Sequence, residues 1–97
     1  MDELVQEFTG VITDADGHLY SARAMGRPRK DRTVWEGWLE FTPRGGGGGI
    51  VRMSPIETTQ PDRKALAYWA SGLERVYLEG ALERAIASRS VSRARSR

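Results

Sequence analysis

The ten residues TVWEGWLEFT, 33–42, constrain the fold more than any other stretch of this chain. On an extended backbone Trp35, Gly37, Leu39 and Phe41 fall on one face, and Val34, Glu36, Trp38 and Glu40 fall on the other. A repeat of two is the geometry of a β-strand. The first face reads as core, and the second as a polar face that holds one large aromatic. A single strand cannot be stable alone, so neighbouring segments must pair with it.

The preceding residues supply such a partner. Residues 4–13, LVQEFTGVIT, are rich in β-branched and aromatic types and run toward Asp16-Gly17, a two-residue hairpin signal. With that turn, Ile12 faces Ser21 and Phe8 faces Met25. Phe8, Ile12, Leu19 and Met25 then share one face, while Val11, Tyr20, Ala22 and Ala24 share the other. Both faces are partly apolar, which predicts a sheet covered on both sides or curled into a barrel. After the flexible PRGGGGG connection, 43–49, the segment IVRMSPIE, 50–57, is the fourth strand, with Pro55 placing it at an edge or a bulge.

A helix is predicted over 61–71. Thr59 and Asp62 have capping-box spacing, Pro61 fits the first turn, and Gly72 suits the position after the last turn. Residues 74–87 fit both periods. Val76, Leu78, Gly80 and Leu82 alternate as in a strand, and Leu73, Val76, Tyr77, Gly80 and Ala81 lie on a helical stripe. Gly80 costs about 1 kcal/mol inside a helix, which favours the strand. The fold class expected is α+β, mostly β: a small antiparallel meander or SH3-like barrel of four to five strands with one short helix. The alternative is a four-stranded curved sheet with a C-terminal helical hairpin. Trp35, Leu39, Phe41, Phe8, Ile12, Leu66 and Trp69 are the expected core.

Ninety-seven residues with 39% hydrophobic and 29% charged side chains suit one small soluble domain, placed at 1–87. Residues 88–97, SRSVSRARSR, have too little apolar surface to offset backbone ordering and read as a disordered Arg/Ser-rich tail. The absence of cysteine excludes disulfides and thiolate metal sites. No apolar run approaches a membrane span, and the acidic start MDELVQEF is unlike a secretory signal, so the expectation is a cytoplasmic protein without membrane contact.

Catalytic and cofactor chemistry finds little support. His18, the one histidine, follows the proposed turn and has no signalled triad partners. Asp14, Asp16 and Gly17 begin like a calcium loop, but the glycine comes too early and Arg23 stands where the bidentate Glu would fall. The glycine run lacks the Lys-Ser/Thr of a phosphate loop. Glu36 and Glu40 read as solvated strand acids. No metal, no cofactor and no enzymatic activity are expected.

The motif that remains is MGRPRKDR, 25–32. Its Gly-Arg-Pro is similar to the AT-hook core, Arg-Gly-Arg-Pro, with Met25 in place of the first arginine. Arg27, Arg29, Lys30 and Arg32, with Arg23 and the outward Trp38 beside them, are the candidate nucleic-acid site: cations for phosphate and an aromatic for base stacking. Thr58, Thr59 and Gln60 of ETTQP read as helix caps or as a small polar recognition patch.

The strings LYSARAMGRP, WEGWLEF and ETTQPDRKALAYWASGLERVYLEGAL resemble a small uncharacterised bacterial protein family over roughly residues 8–85. That resemblance implies a compact stand-alone domain and no activity. The functional expectation is a non-enzymatic binding module whose partner is another protein, met through a groove or an open strand edge. The alternative is a weak nucleic-acid-binding domain that uses the basic 23–32 loop and the C-terminal Arg tail. If the loop and tail arginines share a face with Trp38, nucleic acid is favoured; if Glu36, Glu40 and Glu57 interleave with the arginines, the patch is neutralised and the protein partner is favoured.

Overall fold

Trp35 to Pro43 does form a central strand, and everything else is arranged around it. In the computed structural model, which describes residues 1–30, 33–45 and 49–95 with side chains as far as Ser88, the elements are β1 (Glu3–Glu7), β2 (Ile12–Thr13), β3 (Leu19–Pro28), β4 (Trp35–Pro43), β5 (Arg52–Met53), β6 (Thr58–Gln60), α1 (Arg63–Ser71) and α2 (Arg75–Arg95). The sheet is antiparallel and open, in the order β1-β3-β4-β5, with β2 also pairing β3 and β6 also pairing β4. The class is α+β and mostly β. Four to five strands were expected and six are present among the described residues: the first expected strand is broken into β1 and β2, only Arg52–Met53 of the expected fourth strand 50–57 pairs, and Thr58–Gln60, just beyond it, forms β6. Gly10, at φ +82°, breaks the first, and Pro55 lies between β5 and β6.

The first hairpin closes differently from the two-residue reading. Asp14 N–H donates to His18 O at 3.0 Å, Gly17 N–H donates to Asp14 O at 3.0 Å, and Gly17 takes φ +86°. This is the three-residue loop in which a turn is followed by a left-handed glycine. It puts Ile12 opposite Tyr20 rather than Ser21. A shift of one residue exchanges faces, so Ile12 joins Tyr20, Ala22 and Ala24 in the core, while Leu19 is exposed. An irregularity between Leu4 and Gln6 then sets Glu7 against Arg23, and Phe8 N–H donates to Ala22 O, so Phe8 does not face Met25.

The inner face of the sheet is Tyr20, Ala22, Ala24, Leu39 and Phe41, with Ile12 at its margin, and both helices pack on it. From α1 come Leu66 and Ala70; from α2 come Leu78, Ala81, Leu82 and Ala85. Leu66 seats over the paired glycines Gly26 and Gly37, where the sheet has no side chains in the way. Leu39, Phe41, Ile12 and Leu66 are buried as expected, but Trp35, Phe8 and Trp69 are only half-buried at the rim.

The fifth strand expected over 74–87 is instead the first part of α2, and the sheet does not close into a barrel. Leu78, Ala81, Leu82 and Ala85 are all at most 4% exposed, a helical stripe laid on the sheet. Val76, the first member of the alternating strand pattern, is 78% exposed. Gly80 carries its propensity cost of about 1 kcal/mol, but fully burying even one leucine side chain contributes about 1.5–3 kcal/mol. The fold is therefore the curved sheet with a C-terminal helical hairpin. The backbone of α2 continues through residues 88–95, the segment expected as a tail. The N-cap of α1 is Asp62, whose carboxylate accepts from Ala65 N–H at 2.8 Å, and Thr59 lies outside the helix in β6. Among the described residues no helix is long and apolar enough to cross a membrane.

Candidate functional site

The register of β3 on β4 decides the fate of the basic loop. It sets Arg23 opposite Glu40, Met25 opposite Trp38 and Arg27 opposite Glu36 on the outer face. Cross-strand opposites lie close enough for long side chains to pair. Arg23 Nη2 is 3.0 Å from Glu40 Oε1, Arg27 Nε is 3.4 Å from Glu36 Oε1, and Arg29 Nε is 3.1 Å from Glu36 Oε2. Arg27 Nη1 also lies 3.6 Å from Asp2. The two strand acids are thus not free solvated groups; they interleave with the arginines. Lys30 is exposed and has no ion pair among the described residues. Arg32 lies outside the described residues.

Trp38 is not the exposed platform that the alternating pattern suggests. It is 4% exposed, its Nε1–H donates to Glu40 Oε2 at 3.3 Å, and the Arg27 guanidinium carbon sits 5.0 Å from its ring centroid. Long arginine stems cover apolar surface while their charged ends reach water, and here a guanidinium also lies over the ring. A base could reach that ring only by displacing Arg27. The structure brings Arg27, Arg29 and Lys30 together around a shallow surface with Glu36, but it buries the aromatic.

At the first hairpin, ligand atoms of Asp14, Asp16 and His18 lie within 4.8 Å of one another. Asp14 is already occupied. Its Oδ1 accepts from the backbone N–H groups of Asp16 and His18, both at 2.9 Å, and its Oδ2 lies 3.2 Å from His18 Nδ1 and accepts from Tyr20 O–H at 3.2 Å. Burial alone would push this carboxyl up, but the hydrogen bonds from His18 and Asp16 hold it below the usual carboxylate range. These contacts tie the turn together and occupy Asp14 and His18, while Asp16 enters only through its backbone N–H.

A second polar cluster joins the last broken strand to α2. The break at Pro55 is stitched by Ser54, whose N–H donates to Leu39 O at 2.9 Å and whose hydroxyl accepts from Leu39 N–H at 3.0 Å. Glu57, its side chain 5% exposed, then accepts from Tyr77 O–H at 2.6 Å and from Arg84 Nε and Nη2 at 3.0 and 2.8 Å. Burial would raise its carboxyl, but Arg84 and Tyr77 hold it below the ordinary value. Burial and the facing Glu57 push the Tyr77 phenol up to about 12. Thr58, Thr59 and Gln60, read above as caps or a recognition patch, pair with β4, and Gln60 Nε2 donates to Thr58 Oγ1 at 2.7 Å.

The remaining surface feature is the open edge at β5. Ile50, Val51, Met53 and Ile56 are 42–54% exposed within seven residues. Met53 pairs with Glu40 and so faces outward beside Trp38, while Arg52 pairs with Phe41 and faces inward. The apolar composition of 50–57 signalled a strand, but it could not tell a buried strand from an exposed edge; only Pro55 hinted at the edge. Comparison of the chain with protein-family models, with curated proteins and with solved structures gives no match.

Proposed function

We propose that this protein is a non-enzymatic, cytoplasmic binding module of the small bacterial family its motifs resemble, and that its partner is another protein docking at the β5 edge. The observation that carries the reading is the run of exposed apolar side chains, Val51, Met53 and Ile56, in and beside β5, which among the described residues is the last strand of the sheet on that side. Such an edge offers backbone hydrogen-bonding groups, and an added strand can use them while its side chains meet the apolar ones. The charge pattern supports the same reading. Glu36 and Glu40 sit among Arg23, Arg27 and Arg29, so the basic loop carries less net charge than its sequence implies. Weak nucleic-acid binding through that loop and the Arg-rich tail is the competing proposal, and the buried Trp38 weakens it.

The test uses the tagged full chain and its V51E/M53E variant, checked for equal stability. Proteins retained by the wild type are identified by mass spectrometry, purified and measured by calorimetry. Expected is a partner whose affinity falls at least tenfold in the variant. A partner that binds both equally refutes the edge. No protein partner, together with salt-sensitive binding of a labelled single strand by anisotropy, would move the function to nucleic acid.

A further inference from the structure

A cleft of about 520 Å³ opens at the end of the sheet, between the first hairpin, the Pro43–Arg44 turn, the Gly49–Arg52 segment and Ile86 of α2. Its two arginines differ from the other arginines whose side chains are described. Arg23, Arg27, Arg29, Arg63, Arg75 and Arg84 each have a carboxylate within 4.0 Å. Arg44 and Arg52 have none among the described residues, and both line this one cleft. Arg52 Nε is fully buried and has no hydrogen-bond partner among them. A buried cationic N–H without an acceptor is costly, and Arg52, part-exposed as a whole, and the exposed Arg44 bring guanidinium groups to the cleft, whose forks of donors match the geometry of a carboxylate or a phosphate.

The other walls narrow the chemistry. Leu19, Pro43, Ile50 and Ile86 make one side apolar. Asp14 and Asp16 stand on the hairpin side, where a second negative group on a ligand would be repelled, whereas Asp14 is already compensated by Tyr20, His18 and two backbone N–H groups. The pattern fits a ligand with one anionic head and an apolar body. We propose that the cleft binds a small organic anion, its carboxylate or phosphate head held by Arg52 and Arg44 and its body against Leu19, Ile50 and Ile86. This site adjoins the protein-docking edge at Ile50 but opens on the other face, because Met53 faces outward where Arg52 faces inward.

The experiment is an amide chemical-shift titration of the isotope-labelled full chain near neutral pH and at constant ionic strength, with inorganic phosphate, benzoate and phenyl phosphate as separate probes. Expected are saturable shifts confined to residues 19–20, 43–44 and 50–52, with tighter binding of a probe that carries the ring than of inorganic phosphate. Whichever of benzoate and phenyl phosphate binds tighter identifies the head group. Arg52→Lys keeps the charge and the stem but loses the guanidinium fork, and should weaken binding roughly tenfold or more, as loss of a charge-assisted hydrogen bond does; Arg44→Gln should weaken it as well, and Arg63→Gln, which pairs with Glu3 and does not line the cleft, should leave it unchanged. No saturation with any probe up to about 20 mM, an affinity too weak for a formed site, overturns the proposal. So does binding that is the same in Arg44→Gln and Arg52→Lys as in the wild type.

Discussion

Replacing Gly37 by alanine tests the packing of the helical hairpin where α1 meets the sheet closely. A Cβ at Gly37 would stand 2.5 Å from Leu66 Cδ1 and 3.1 Å from Thr58 Cγ2. Leu66 is 1% exposed and cannot swing into solvent without uncovering the core. Overpacking of this kind costs about 1–3 kcal/mol. Alanine also restricts the unfolded chain, which offsets about 0.4–1 kcal/mol. The net expectation is a loss of about 1–2 kcal/mol, a sizeable part of the roughly 5–15 kcal/mol that holds a domain together. For a chain of this size each kcal/mol lowers Tm by about 4–8 °C. Urea unfolding followed by tryptophan fluorescence reads the change directly. The decisive arm is the background. Leu66→Ala alone should cost about 2–5 kcal/mol, and in that background the added methyl of Gly37→Ala finds room, so a coupling of about 0.5–3 kcal/mol is expected. A neutral or stabilising Gly37→Ala, or strict additivity with Leu66→Ala, would refute the seating of Leu66 on the glycine pair and with it the placement of α1.

Trp38→Ala should cost about 3–5 kcal/mol of stability, as for other large buried aromatics, and leave any association with a labelled single strand unchanged in its salt slope; a fully stable variant that loses such association would restore Trp38 as a stacking group. Glu57 is held below the ordinary carboxyl value, so its contribution is present above that value and lost as pH falls through the folded one. Glu57→Gln should therefore be less stable near neutral pH and lose less stability on acidification, and parallel stability profiles for the two proteins would contradict the clamp. Tyr77, raised to about 12, contributes fully below the usual tyrosine value of about 10 and less as pH rises toward 12; Tyr77→Phe should flatten that alkaline loss in a denaturation series, and an unchanged slope counts against the Tyr77–Glu57 bond. Truncation after Ser88 removes nothing beyond Ala85 and Ile86, the last core contacts described on α2, so stability should stay within about 0.5 kcal/mol; a larger loss by thermal melting would show that the end of α2 docks.

Local patterns were enough for the central strand, its hairpin partner, the α1 helix and the overall class. TVWEGWLEFT could only be a strand, because an alternation of two has no helical equivalent, and RKALAYWAS follows a capping aspartate. Residues whose meaning depends on what lies opposite were not legible. Ile12 changed faces because the hairpin closes through three residues rather than two, and the energy that selects this loop includes the Asp14 bonds to its own turn. Residues 74–87 carry both periods, and only the apolar face of the sheet, waiting at the right distance, selects the helix that buries Leu78, Leu82 and Ala85 over the one-glycine penalty. The basic loop was visible as charge, but charge in sequence has no partners; the β3–β4 register supplied Glu36 and Glu40 and folded Trp38 beneath Arg27. Arg44 and Arg52 are ordinary residues of a glycine-rich connection and a short strand until Ile86 of α2 closes a cleft beside them. The sequence by itself determined that 33–42 is extended and which face of that central strand is apolar, since those follow from residue size and spacing along a few bonds. Which side chains end up paired, covered or left facing a cavity was decided only by tertiary structure, since that depends on register and packing between segments tens of residues apart.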